Sequence, residues 1–186
     1  MCDISISLNP AARGRGGWKC TGSTPSTPIC SGSVSNWGGI VCSNGNVVSI
    51  LLAGLKVVGT IPTSIGLLST LTSLSISRNS ITSTVPSQLG QLKLLATIDL
   101  SVNSITGYVP KTLCSDSALT SLSFGSNPLG CYFNCLSSVA SLSTGTINPV
   151  CSDGIVDPRN IYIYLHYFHT LHISSTDDCA FRPADR

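Results

Sequence analysis

The 186-residue sequence contains no glutamate: all eight acidic residues are aspartate, and charged residues make up only 10% of the chain. Without Glu, and with few Lys or Ala-rich stretches, long helices are not expected. The net charge is +2, too small and too scattered for nucleic acid or an anionic membrane surface. No apolar run is long enough to cross a bilayer. The nearest approach, IYIYLHYFHTLHI at 161–173, is short and carries all three histidines of the chain. A basic start followed by an apolar run, the mark of a secretory leader, is not visible in MCDISISLNPAARGRGGWKC. That fits a chain whose start lies inside its N-terminal cap. A kinase signature is also missing.

What the chain does have is a repeat. In the blocks 47–70, 71–94, 95–118 and 119–142, position 1 reads Val47, Leu71, Leu95, Leu119, and position 4 reads Ile50, Leu74, Ile98, Leu122. Position 6 reads Leu52, Ile76, Leu100, Phe124, and position 11 reads Val57, Ile81, Ile105, Leu129. Position 9 carries Asn79, Asn103 and Asn127, with Leu55 in the first copy. L-x-x-L-x-L places a short strand at the head of each copy, and such units bury their apolar side only by stacking into a parallel sheet. In the second copy Leu71, Leu74, Ile76, Ile81, Val85, Leu89 and Leu92 face inward, each worth about 1.5–3 kcal/mol when fully buried. An Asn ending every strand would satisfy backbone groups of the turn, its amide donating and accepting along the stack.

The pattern LxxLxLSxNxITGxVPxxLGxL resembles the plant-type extracellular leucine-rich repeat, most closely over Leu95 to Leu113. The likeness covers roughly 36–150. Gly59-Thr60-Ile61-Pro62 and Gly107-Tyr108-Val109-Pro110 match that class's G-x-[IV]-P segment, which implies a second short strand; Ser83 replaces the Gly in the copy between them. Asn36-Trp37-Gly38-Gly39-Ile40-Val41-Cys42 is similar to the class's N-terminal cap, W-x-G-[IV]-x-C. The resemblance implies an α/β leucine-rich-repeat solenoid, right-handed, with a short parallel β-sheet on the concave side, about four 24-residue coils and Cys-rich caps. The expected division is a cap over 1–46, with 1–15 poorly ordered and 21–35 a loop, and four repeats over 47–142. A closing cap follows over 143–154, and a tail over 155–186 is disordered or foreign to the native protein. The remnant of a cap helix, or a strand, falls at Ile4, Ile6 and Leu8.

Nine cysteines frame the repeats. A solenoid exposes a raw apolar edge at each end, and small disulfide-stapled caps close such edges in an oxidising compartment. The cap likeness implies that Cys30 and Cys42 pair, across a loop longer than such caps usually carry. At the other end the candidates are Cys131, Cys135 and Cys151, with Cys151 a partner for Cys131 or Cys135 and Cys114 the competing one; spacing alone does not decide. Cys131-x-x-x-Cys135 lacks a second Cys or His pair at zinc-site spacing. His166, His169 and His172 would turn roughly 60° per step on a helix and converge poorly on one ion. No metal and no cofactor are expected.

The outward strand positions include Ser49, Leu51, Ala53, Ser73, Ser75, Ser77, Thr97, Ser101, Ser121 and Ser123, with Arg78 and Asp99 the face's charges. Ser75, Arg78, Thr97, Asp99, Ser121 and Ser123 are the candidate ligand contacts. The repeats hold no His and two acids, Asp99 and Asp116, at different repeat positions, so no catalytic constellation assembles and no enzyme is expected. Likeness to receptor-kinase ectodomains and polygalacturonase-inhibitor-type proteins implies an extracellular or cell-surface module. Its partners would be a protein, peptide or glycan and a membrane-anchored co-receptor, with neither nucleic acid nor direct membrane insertion. The alternative is a structural, wall-associated spacer without a specific ligand.

Overall fold

The structure, a computed structural model, describes residues 20–21, 24–25, 28–115 and 118–144. Two small antiparallel pairs come first, β1 (Cys20–Thr21) with β2 (Thr24–Pro25) and β3 (Cys30–Ser31) with β4 (Val34–Ser35). The stretch expected to be plain loop thus contains tight hairpins, the second of which sets Cys30 against the cap. Then come β5 (Ile40–Ser43), β6 (Asn46–Leu51), β7 (Val58–Thr60), β8 (Ser73–Ser75), β9 (Ser80–Thr82), β10 (Thr97–Asp99), β11 (Gly107–Tyr108), β12 (Ser121–Ser123), β13 (Leu129–Cys131) and β14 (Ser141–Ser143).

The main sheet runs β14-β12-β10-β8-β6-β5, parallel from β6 to β14, with β5 added antiparallel. Ile50, Leu74, Ile98 and Leu122 are direct neighbours in one inward row, each no more than 1% exposed. All seven inward residues of the second copy are buried. The G-x-[IV]-P segments form the expected second strands, β7 with β9 and β11 with β13. Five-residue 3-10 helices (Thr63–Leu67, Ser87–Gln91, Lys111–Ser115, Asn134–Ser138) return the chain to the next strand; they are the only helical turns among the described residues. Pro62 and Pro86 precede the first two at φ −77° and −69°, where proline's ring sets the angle and its missing N–H is not needed.

The sheet does not stop with the fourth strand. β14 pairs with β12 in parallel, Leu142 beside Leu122, although it follows by 20 residues rather than 24 and breaks the periodic register. Ser141-Leu142-Ser143 repeats the Ser-Leu-Ser of β8 and β12, a signal that a fixed 24-residue frame passes over.

Three asparagines fasten the coils. Asn103 Nδ2 donates to Leu100 O at 3.0 Å in its own coil and to Ile76 O at 3.0 Å in the coil before, while its Oδ1 accepts from Ile81 N at 2.9 Å. Asn79 repeats this with Ile76, Leu52 and Val57, and Asn127 with Phe124, Leu100 and Ile105. One side chain therefore closes its own turn and ties it to its neighbour.

Close coil contact explains a second recurrent residue. A Cβ on Gly66 would lie 2.8 Å from the Cβ of Gln88, and one on Gly90 only 2.5 Å from Thr112 O. The same repeat position in the third copy is Cys114, which does not slide past the next coil but bonds to it: Cys114 and Cys135 form a disulfide, Cα–Cα 5.5 Å. Cys30 and Cys42 form another, Cα–Cα 5.7 Å. Cys131 is also disulfide-bonded. The choice left open at the C-terminal end is thus settled for Cys135, whose partner is Cys114 and not Cys151. Expectations for 1–15, for Cys151 and the cap beyond Thr144, and for 155–186 with its histidines lie outside the described residues.

Backbone handedness accounts for the glycine of G-x-[IV]-P. Gly59 and Gly107 have φ of 113° and 81°, and Ser83 holds the same repeat position at φ 71° without glycine's freedom. Left-handed backbone costs a non-glycine residue about 1–2 kcal/mol, against about 0.5–1 kcal/mol of extra chain entropy for glycine. Ser83→Gly is therefore expected to stabilise by about 0.5–1 kcal/mol, and Gly107→Ala to destabilise, both measured by urea unfolding. Asn103→Ala, which strips partners from backbone groups of two coils, is expected to cost about 3 kcal/mol in the same assay.

Candidate functional site

Outward side chains of the main sheet form two rows that the strand register fixes. One is Ser49, Ser73, Thr97, Ser121, Ser141, and the other Leu51, Ser75, Asp99, Ser123, Ser143. Neighbours in a row sit about 4.8 Å apart. The face is short-chained because the strands are three residues long and alternate around one buried residue, leaving two outward positions per coil. β5 extends it: Val41 lies opposite Ser49, and Val41 and Leu51 are 41% and 45% exposed. The face thus has an apolar end at the N-terminal cap and a serine end at β14.

Five of the six residues singled out from sequence, Ser75, Thr97, Asp99, Ser121 and Ser123, lie on this surface, half-buried. Arg78 is exposed, three residues beyond Ser75. The reading that placed Ser77 outward is corrected: it is only 5% exposed and hydrogen-bonds Asp99. Alternation alone puts Ser77 outside, but the Asp99 carboxylate of the next strand covers it. Val41, Ser141 and Ser143 belong to the face and were missed, Val41 because it comes from the cap and the two serines because their strand is out of register.

The two charges have different fates. Asp99 Oδ1 accepts from Ser101 Oγ at 2.7 Å and from Ser101 N at 3.1 Å. Partial burial pushes its pKa up; hydrogen bonds from the Ser101 hydroxyl, the Ser77 hydroxyl and the Ser101 amide, with the Arg78 charge, outweigh this and hold it below its ordinary value. Its acceptor capacity is largely spent on its own coil. Arg78 occupies a left-handed position, φ 55°, shared by Gly54 (67°), Val102 (55°) and Ser126 (59°) in the other coils. Arg78 is exposed there, and its charge acts on Asp99 of the next coil.

Nothing in this arrangement resembles a reacting centre. Among the described residues no group of three or more His, Cys, Asp or Glu could hold a metal ion. No described helix is long and apolar enough to cross a membrane. A cavity of about 240 Å³ lies beside the Cys114–Cys135 bridge, lined by Leu113, Leu119, Leu136 and Val139, and includes none of the outward strand residues.

Because the Asp99 pKa is depressed in the folded state, its ionised form stabilises the fold above the unfolded value of about 3.9, and that contribution disappears as pH falls through the folded value. The stability gap between the wild type and Asp99→Asn, measured by urea unfolding, is expected to be largest near neutral pH and to shrink below about pH 4.

A leucine rich repeat family profile matches residues 69–129. No curated protein sequence matches the chain significantly. Among solved structures, a chain of the BIR3–SERK2 complex from Arabidopsis thaliana superposes with a TM-score of 0.66 at 27% identity, covering 80% of this chain and 81% of that one. The ectodomain of the Arabidopsis thaliana membrane receptor kinase GASSHO1/SCHENGEN3, in complex with CASPARIAN STRIP INTEGRITY FACTOR 2, gives 0.65 at 26%, covering 79% of this chain and 17% of that one. The plant peptide hormone receptor RGFR1, in complex with RGF2, gives 0.51 at 32%, over 55% of this chain and 17% of that one. This chain is therefore far shorter than the latter two ectodomains. Residues 69–129 thus carry leucine-rich repeats, and with its parallel sheet, Asn ladder and cap disulfide the chain's solenoid is built like those of plant receptor-kinase ectodomains.

Proposed function

We propose that the chain is a non-enzymatic recognition module that works outside the cell and receives a peptide or protein segment on the open face of its main sheet. The observation that carries this reading is the in-register array of outward side chains across β6, β8, β10, β12 and β14, a surface continuous over five parallel strands and backed from β6 to β12 by a fully packed row. A rigid array costs little to order on binding. The similar RGFR1 is a peptide hormone receptor in complex with RGF2, and the similar GASSHO1/SCHENGEN3 ectodomain is in complex with CASPARIAN STRIP INTEGRITY FACTOR 2, which supports a peptide or protein ligand here. The absence of aromatic side chains from the outward rows argues for many modest contacts along an extended ligand rather than one deep anchor. The cap disulfide suits an oxidising compartment. A membrane-anchored co-receptor would supply the signalling output.

The test is capture from secreted-peptide fractions and, in parallel, from glycan arrays. Wild-type protein is expected to retain peptides. Thr97→Arg, in the middle of the face, is expected to weaken capture at least about tenfold, while Ser87→Arg on an exposed 3-10 segment leaves it unchanged. Capture of glycans alone would overturn the peptide assignment, and capture of neither would favour the structural spacer.

A further inference from the structure

We infer that the outward face of the second strands, β7, β9 and the chain leading into β11, is an ice-binding surface whose ordered threonine and serine side chains take the lattice of crystalline water as ligand. It lies apart from the main sheet and does not depend on the recognition function proposed above.

The register of the second strands builds this face. Thr60 lies directly beside Thr82, and Thr84 directly beside Thr106. Ser80 N bonds Val57 O where Ser80 pairs with Val58; Ser104 N bonds Ile81 O at 2.8 Å in the same relation, so Ser104 takes the place next to Thr82. Hydroxyl side chains thus repeat in two directions, about 4.8 Å from coil to coil and about 6.6 Å between alternate residues of one strand. Ser80, Thr82, Thr84, Ser104 and Thr106 are exposed and Thr60 is half-buried. Ile81 and Val85, with Ile105 and Val109 one coil on, are buried and hold the strands to the core from behind.

The side chains are also held in place. Thr82 Oγ1 donates to Gly59 O at 3.2 Å and Thr106 Oγ1 to Ser83 O at 3.4 Å, each reaching the coil before. A β-branched residue is stiff at χ1, so the same bond aims the methyl group. Gly107 leaves space for the Thr84 methyl, since a Cβ there would lie 3.0 Å from Thr84 Cγ2.

A peptide or a polysaccharide repeats along one line, whereas this face repeats along two, and its match is a two-dimensional lattice. Its spacings fall within an ångström of the oxygen repeats on the prism face of ice. Charge points the same way: no position in these rows is charged, Lys56 and Lys111 lie beyond the strand ends, and ice offers a neutral surface of donors and acceptors. A hydroxyl that donates to a backbone carbonyl still accepts from lattice water, and the methyl beside it gains by leaving the liquid. The main sheet lacks the pattern, because Leu51 and Asp99 interrupt one of its rows.

The experiment freezes a dilute solution of the oxidised full chain slowly onto a cold probe and compares protein in the ice with protein left in the liquid. Wild-type protein is expected to be enriched in the ice, relative to a standard protein that freezing excludes, and to give faceted crystals. Thr82→Lys and Thr106→Lys, which push a long cation into the rows, should lose both effects; Thr82→Val, which keeps the shape, should retain part of them; Ser87→Arg on the 3-10 segment should leave them unchanged. Circular dichroism on each variant verifies folding, and peptide capture by Thr82→Lys should match the wild type. If the wild type is excluded like the standard, or if folded Thr82→Lys and Thr106→Lys stay enriched, the inference falls and the recognition function stands. Loss of enrichment in Thr97→Arg alone would move the lattice contact to the main sheet and overturn it equally.

Discussion

The amide of one asparagine per coil is the interaction on which the remaining structure depends. Asn79, Asn103 and Asn127 each reach a carbonyl at the end of their own strand and a carbonyl and an amide of the coil before. Those backbone groups lie where the chain leaves the sheet and turns left-handed, so no strand neighbour is available to satisfy them. Asparagine alone offers a donor pair and an acceptor on a side chain short enough to stay within the turn. Aspartate in that place would present only acceptors to carbonyls. The ladder sets the register of the sheet, and the register sets which residues face outward.

How far the site can be read from sequence follows from this chain of dependence. The inward rows and the asparagines are legible because they recur every 24 residues and their roles are set within one repeat. Ser77 is not, because its burial depends on a carboxylate one coil away that has no counterpart at Ser75 or Ser123 in the other copies. Cys114 is legible from sequence only as one competing partner for the C-terminal cysteines. Its meaning appears only once Gly66 and Gly90 show that its repeat position is where backbones nearly touch. β14 escapes periodic reading because the link from the last 3-10 segment to the strand is short, three positions from Ser138 to Ser141 where Ser115 to Ser121 takes six. Repetition thus makes the scaffold visible, and departures from it hold what is particular to this molecule.

Departures also occur where the chain leaves the outward face of the main sheet. Arg78 and Val102 sit in a left-handed turn where Gly54 sits without strain in the first coil. Val102, a β-branched residue there, bears the larger steric penalty. Arg78 bears it at an exposed position, where its charge acts on Asp99 of the next coil. Ser83 bears it with none that the structure reveals.

Stability and recognition meet in the stack itself. Each coil rests only on its neighbours, so the terms that hold the solenoid together are nearest-neighbour terms, and the end coils have one fewer of them. Leu142 in β14 is partly exposed where Leu122, its partner one strand in, is fully buried. The Cys30–Cys42 and Cys114–Cys135 bonds lie near the two ends and restrict how far those coils open. A ligand of the proposed kind, lying across several strands, would add a further coupling between neighbours, present only in the bound state, and so stabilise the stack by mass action. A surface of short hydroxyls in fixed register is suited to that role, because its contacts are spread over coils rather than gathered on one, and an extended chain bound there spans the same interfaces that the asparagines close from behind.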